Sequence, residues 1–278
     1  MYCLAVATER YGILIHSYTV QSNHYHLELT DVHGNLPEFM CWFNRHIAKS
    51  INSQLGRWEN LFDNGKYSAV HLVDAAAVRD KMAYILANPV EAELVERAKD
   101  WPGCWSDPNS IDGAPITVER PKGFFRSDGP MPKTATLRLT RPPCFSDMTT
   151  KDFRKMVKAD LAEREANVRK RMERARRTFL GVRAIRATSP FSSPHSREPR
   201  RNLNPRIASR NKRTRDEAIR ERQVFLDAYR VALTAWRQGR RDAVFPAGTY
   251  WMRHHAGVRC ADGDCARGPE EARPPPNI

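Results

Sequence analysis

Along the first 110 residues the apolar positions switch repeatedly between helical and strand spacing. YCLAVATERYGILI (2–15) opens at helical intervals and meets Gly12, a residue suited to closing a helix. IHSYTVQSNHYHLELTD then alternates for long enough to make two strands joined by a tight turn near Gln21–Asn23. In GNLPEFMCWFNRHIAKSINSQLGR, residues Leu36, Phe39, Met40, Phe43, Ile47 and Ile51 return to helical spacing and Gly56 closes the run, with Arg45, His46 and Lys49 outside. WENLFDNGKYSAVHLVD breaks at Asp63-Asn64-Gly65 and continues as a strand through Val70, Leu72 and Val73. AAAVRDKMAYILANPVEAELV is helical until Pro89, which ends or kinks it.

This order predicts an α+β domain ending near residue 110, a ferredoxin-like antiparallel sheet with helices on one face. A split β-α-β sandwich begins with a strand ahead of the first helix; here Met1 already lies in that helix, so the first strand is expected to be missing. Residues 111–150, in a Pro- and Gly-rich stretch, read as linker. Residues 151–278 read as a basic, mainly helical accessory region. It runs from a charged helix over 151–180, through the extended basic loop PFSSPHSREPRRNLNPR, to the amphipathic RDEAIRERQVFLDAYRVALTAWRQGRR and an aromatic-basic end.

Charge sharpens that division. Residues 1–150 hold 15 Lys+Arg against 17 Asp+Glu, whereas residues 151–240 hold 26 against 10, so the +14 net charge has its source in one block. Such a block is the footprint of a polyanion-binding segment, nucleic acid being the commonest partner; a solvated basic helix is the plain alternative. The six cysteines are scattered and no secretory leader precedes them, so reduced thiols in a cytoplasmic protein are expected. No apolar run reaches the roughly 18 residues of a membrane span.

The stretch QSNHYHLELT carries the first candidate chemistry. Successive strand side chains face opposite ways, so His24, His26 and Glu28 share one face while Tyr25, Leu27 and Leu29 share the other. The second face reads as core. The first offers neutral nitrogen ligands and a carboxylate, suited to a divalent cation or a general base. Further along, Tyr84 and Asn88 stand four residues apart on one helical face. Two His and one Asn leave Mg²⁺ or Mn²⁺ open positions for phosphate oxygens or water, and Tyr84 can act as a nucleophile on phosphorus. An interior helix aromatic is the plain alternative for Tyr84.

NHYHLEL and YILANPVEAELV together resemble the NHxHLxx and YIxxNPVxAGLV signatures of the HUH single-tyrosine transposases, most closely the REP-associated tyrosine transposases, relatives of the small insertion-sequence transposases. Trp58 and the pair Trp105–Ser106 fit the same pattern, and the resemblance covers roughly residues 2–110. It implies that His24, His26 and Asn88 bind the metal and that Tyr84 is the nucleophile. It further implies cleavage and rejoining of single-stranded DNA beside hairpins through a 5′-phosphotyrosine, by a monomer or homodimer. Three departures stand out. Gln21-Ser22 replace Met-Pro before the histidines, Glu91 and Glu93 stand where a basic residue and a glycine are usual, and the family's first strand is absent. A truncated, inactive DNA-binding relative is the alternative, and a water-using metal phosphohydrolase a third.

Four further sites carry weaker expectations. Glu28 reads as a solvent-facing carboxylate more readily than as an extra ligand. Cys260 and Cys265 near His254–His255 offer only a loose zinc pair. Arg45, Lys49, Arg200 and Arg201 are candidates for DNA phosphate. Tyr250, Trp251, Arg253 and His254 could stack on unpaired bases.

Overall fold

The computed structural model describes residues 1–62, 67–192 and 206–261, a mixed α+β chain. In chain order the elements are α1 (Tyr2–Tyr11), β1 (Ile13–Val20), β2 (Tyr25–Asp31), α2 (Leu36–Leu55), β3 (His71–Leu72), α3 (Ala75–Glu91), β4 (Ile116–Glu119), β5 (Thr134–Leu137), α4 (Thr150–Arg174), α5 (Val182–Ala187), β6 (Ile207–Ala208), α6 (Lys212–Arg237), β7 (Val244–Phe245), α7 (Trp251–Ala256) and β8 (Arg259–Cys260). They fall into two compact units, Met1–Ser68 with Asp74–Asn204, and Ala69–Val73 with Pro205–Ile278.

The first unit is organised by the β1–β2 hairpin. Its strands run antiparallel with Val20 opposite Tyr25 and Ile13 opposite Asp31, and a bulge at His16 shifts the register between Ile15 and Ser17. Pairing sorts the side chains by face. Tyr18 lies opposite Leu27 and Ile15 opposite Leu29; Thr19 lies opposite His26 and Ser17 opposite Glu28. The apolar face receives α2, whose Phe43 ring sits 5.5 Å from Tyr25 and stacks on Phe39 at 5.6 Å. Asp31, the last residue of β2, fixes where that helix begins: its carboxylate accepts from the Asn35 and Leu36 amides at 2.8 and 2.9 Å. Gly56, at φ 62°, supplies the left-handed stop.

The polar face is not left to solvent. It receives α3, so helices flank both sides of the hairpin rather than one, because a two-stranded ribbon has two faces to cover and α3 brings polar groups that suit the second. Each of the described sheets is two-stranded. The strand expected through Val70–Val73 is reduced to β3 and pairs in parallel with β6 in the second unit. The outer edge of β1 is capped by irregular chain: Ser106 N–H donates to Tyr18 O at 3.0 Å, Val20 N–H to Cys104 O at 2.9 Å and Thr140 N–H to Ile15 O at 2.9 Å. That places the Trp105–Ser106 pair beside β1. Among the described residues, β2 has no ladder partner except β1.

Residues 111–150 are not a linker. They form the β4–β5 hairpin and put Ile111, Ala135, Leu137 and Leu139 into the main core beside α1. Their prolines and glycines punctuate short strands rather than free the chain. The charged helix α4 likewise belongs to this unit, burying Val168 and Met172 against Val90, Val95 and Trp101. In the second unit a small core of Ala232, Phe245 and Met252 gathers α6, β7 and α7, with Tyr229 and Trp236 around it. No helix among the described residues is long and apolar enough to cross a membrane.

Candidate active site

A proline fixes the placement of α3. The helix starts at Asp74, whose carboxylate accepts from the Ala77 amide at 2.7 Å, and it continues through Pro89 to Glu91. Pro89 has no N–H, so the carbonyl one turn earlier, Ile85, loses its helical donor. The fully buried Thr19 of β1 supplies the replacement, its hydroxyl donating to Ile85 O at 2.6 Å. The next carbonyl, Leu86, accepts from Trp105 Nε1 at 2.9 Å. A helix breaker thereby becomes a strand-to-helix tie, and it locks the turn carrying Tyr84 and Asn88 over the histidine strand.

The four residues read from the two motifs meet there. The Tyr84 ring lies edge-on to His26 with centroids 5.5 Å apart, and His26 lies edge-on to His24 at 5.0 Å. Asn88 is 5% exposed, and its Oδ1 accepts from Gln21 Nε2. His24 Nδ1 lies 2.7 Å from Asn23 Oδ1. Gln21, bonded to Asn88, is a residue of this cluster that sequence reasoning did not single out. Thr19 is another. A threonine facing a helix that contains proline was its only signal.

Electrostatics keep the histidines neutral. Burial lowers the His26 pKa to about 4, and the neighbouring His24 and Lys81 push the same way. Burial also lowers that of His24, opposed by a bond to the Asn88 side chain. Glu28, expected to face solvent, is instead 4% exposed. Ser17 Oγ donates to its Oε2 at 2.9 Å while Oε1 has no partner, and burial raises the carboxyl to about 8. The bulged His16 is spoken for, with Nδ1 2.8 Å from Thr140 O and Nε2 2.8 Å from Thr30 Oγ1.

The donor set fits a divalent cation with an incomplete protein shell. His26 Nε2 is buried without a hydrogen-bond partner, the state of a nitrogen awaiting a ligand. No cluster of three or more His, Cys, Asp or Glu able to hold a metal forms among the described residues. A cation here would therefore rest on His24, His26 and the Asn88 amide oxygen, completed by water or substrate oxygens.

Arg45 and Lys49 are exposed on α2, which packs on the opposite face of the hairpin. Arg200, Arg201 and Cys265 fall outside the described residues. The Tyr250 ring is tilted against His254 at 4.5 Å and the Trp251 ring against His255 at 4.9 Å, within the second unit. Glu91 and Glu93 have a structural use. Arg164 and Arg171 of α4 pair with Glu91 at 3.5 and 3.7 Å, and Arg177 with Glu93. Part of the basic block is thus neutralised inside the fold. Glu93 also takes the left-handed φ of 60° that a glycine would take without strain. No family model, curated protein or solved structure matches the chain.

Proposed function

We propose that this protein is a metal-dependent single-stranded DNA endonuclease and strand transferase of the REP-associated tyrosine transposase kind, with a compacted HUH core. One observation carries the reading: His24, His26, Tyr84 and Asn88, from two stretches far apart in sequence, converge at one place between β2 and α3. An interior aromatic needs no such company.

In this reading His24, His26 and Asn88 would hold a Mg²⁺ or Mn²⁺, which would supply Lewis-acid polarisation of the scissile phosphate, and Gln21 would orient the Asn88 amide. Tyr84 Oη attacks phosphorus, the bond from phosphorus to the 3′ oxygen breaks, and the phenolic proton passes through solvent to that oxygen. The products are a 5′-phosphotyrosine and a free 3′-OH. The ester keeps the energy of the broken linkage, so rejoining by another 3′-OH needs no nucleotide cofactor. The Tyr84→Phe variant discriminates between mechanisms: it abolishes cleavage in this reading and leaves it intact if water is the nucleophile.

A further inference from the structure

The site described above is made almost wholly of uncharged groups, with one exception. Lys81 stands one turn before Tyr84 on α3, and its Nζ lies 5.1 Å from the centre of the Tyr84 ring. Its neighbours on the helix are neutralised: Arg79 bonds Asp160 at 2.6 Å and Asp80 bonds Arg164 at 2.6 Å. Lys81 has no such partner among the described residues. The carboxylate on the histidine face, Glu28, accepts from Ser17 Oγ at 2.9 Å.

A half-buried cation beside a nucleophile, with no ion-pair partner among the described residues, calls for an anion from outside the chain. We propose that Lys81 is the phosphate-binding residue of the site: its ammonium contacts a non-bridging oxygen of the scissile phosphodiester and holds the phosphorus against the Tyr84 hydroxyl. The assignment rests on the reaction proposed above for its chemistry, but the anion contact can be measured without it. It gives the site a preference for phosphodiester over neutral ligands. It also provides positive charge that remains when the histidines are engaged by a metal. Lysine supplies a point charge rather than a planar fork, which suits a phosphate approached from one side.

The test uses the full chain and a 3′-labelled single-stranded library of random sequence flanking a fixed hairpin, with Mn²⁺. A covalent adduct that requires Tyr84 is expected. Lys81→Ala is expected to slow its formation by about 100-fold, the order seen when one preorganised charge contact is lost, whereas Lys81→Arg retains most of the rate. In parallel, Tyr84→Phe and Tyr84→Phe/Lys81→Ala are compared for binding of the same library across a salt series. Loss of one phosphate contact weakens binding and lowers the salt slope by about 1. Adduct formation at the wild-type rate by Lys81→Ala, with an unchanged salt slope, overturns the proposal. If no adduct forms in the wild type, the binding arm decides. A reduced slope keeps the Lys81 contact and rejects the transferase reading, and an unchanged slope rejects both.

Discussion

The two faces of the β1–β2 hairpin are built from the same two strands and end in different chemistry. One face joins Ile15, Tyr18, Tyr25, Leu27 and Leu29 to the aromatic stripe of α2, where burial itself is the stabilising term. The other carries Ser17, Thr19, His26 and Glu28, with Thr19 and His26 meeting α3, and there each polar group needs a partner. Thr19 has one in Ile85 and Ser17 has one in Glu28, but His26 Nε2 and Glu28 Oε1 have none. The lesson is that orphaned polarity concentrates on the face that carries the candidate nucleophile. Apolar burial on the other side offsets its cost.

Substitutions on the two faces should therefore differ in kind. The largest effect is expected from Phe39→Ala, which opens a cavity in the apolar face and should cost about 3–5 kcal/mol in urea unfolding at neutral pH. On the polar face the second largest is Glu28→Gln. The Glu28 carboxyl titrates near 8 in the folded chain against an ordinary 4.5. The unfolded chain gives up this proton first, so the wild type loses stability as pH rises from 4.5 to 8. The glutamine variant avoids that loss, and its advantage should grow across the window to on the order of a few kcal/mol above pH 8. His26 works in the opposite sense. Its folded pKa of about 4 against 6.5 means that stability falls as pH drops from 6.5 to 4, and His26→Gln should flatten that acid limb of a melting-temperature profile.

Smaller effects test the ties between strand and helix. Thr19→Val leaves the Ile85 carbonyl buried without a donor and should cost about 1–3 kcal/mol. Its effect should shrink when Pro89 is replaced by Ala, because an alanine N–H can return the helical bond. At the helix exit, Glu93→Gly should be more stable than Glu93→Ala by about 1 kcal/mol, since only glycine takes a φ near 60° freely. Equal stability of those two variants in chemical denaturation would remove strain at Glu93 from the account.

Much of this was legible in the sequence because strand alternation and helical spacing are local. The histidine face, α1, α2 and the shared face of Tyr84 and Asn88 follow from spacing alone. The ferredoxin-like sheet with one helical face did not follow, because strand pairing is a long-range choice: β3 is two residues long and pairs with β6. Residues 111–150 were misread because proline and glycine mark the ends of short strands as readily as they mark linkers. Glu28 was misread because alternation assigns a face but does not tell what covers it. The contacts of Gln21 and Thr19 were not legible because each is made to a partner more than 60 positions away, Asn88 and Ile85.

The central claim is that Tyr84 is a nucleophile served by His24, His26 and Asn88, and a denaturing gel tests it most directly. The full chain is incubated with Mn²⁺ and 3′-labelled single-stranded hairpin DNA, beside Tyr84→Phe and the double variant His24→Ala/His26→Ala. A labelled protein–DNA adduct in the wild type that is absent from both variants is the predicted result. Cleavage that persists in Tyr84→Phe without any adduct would contradict the account and make water the nucleophile.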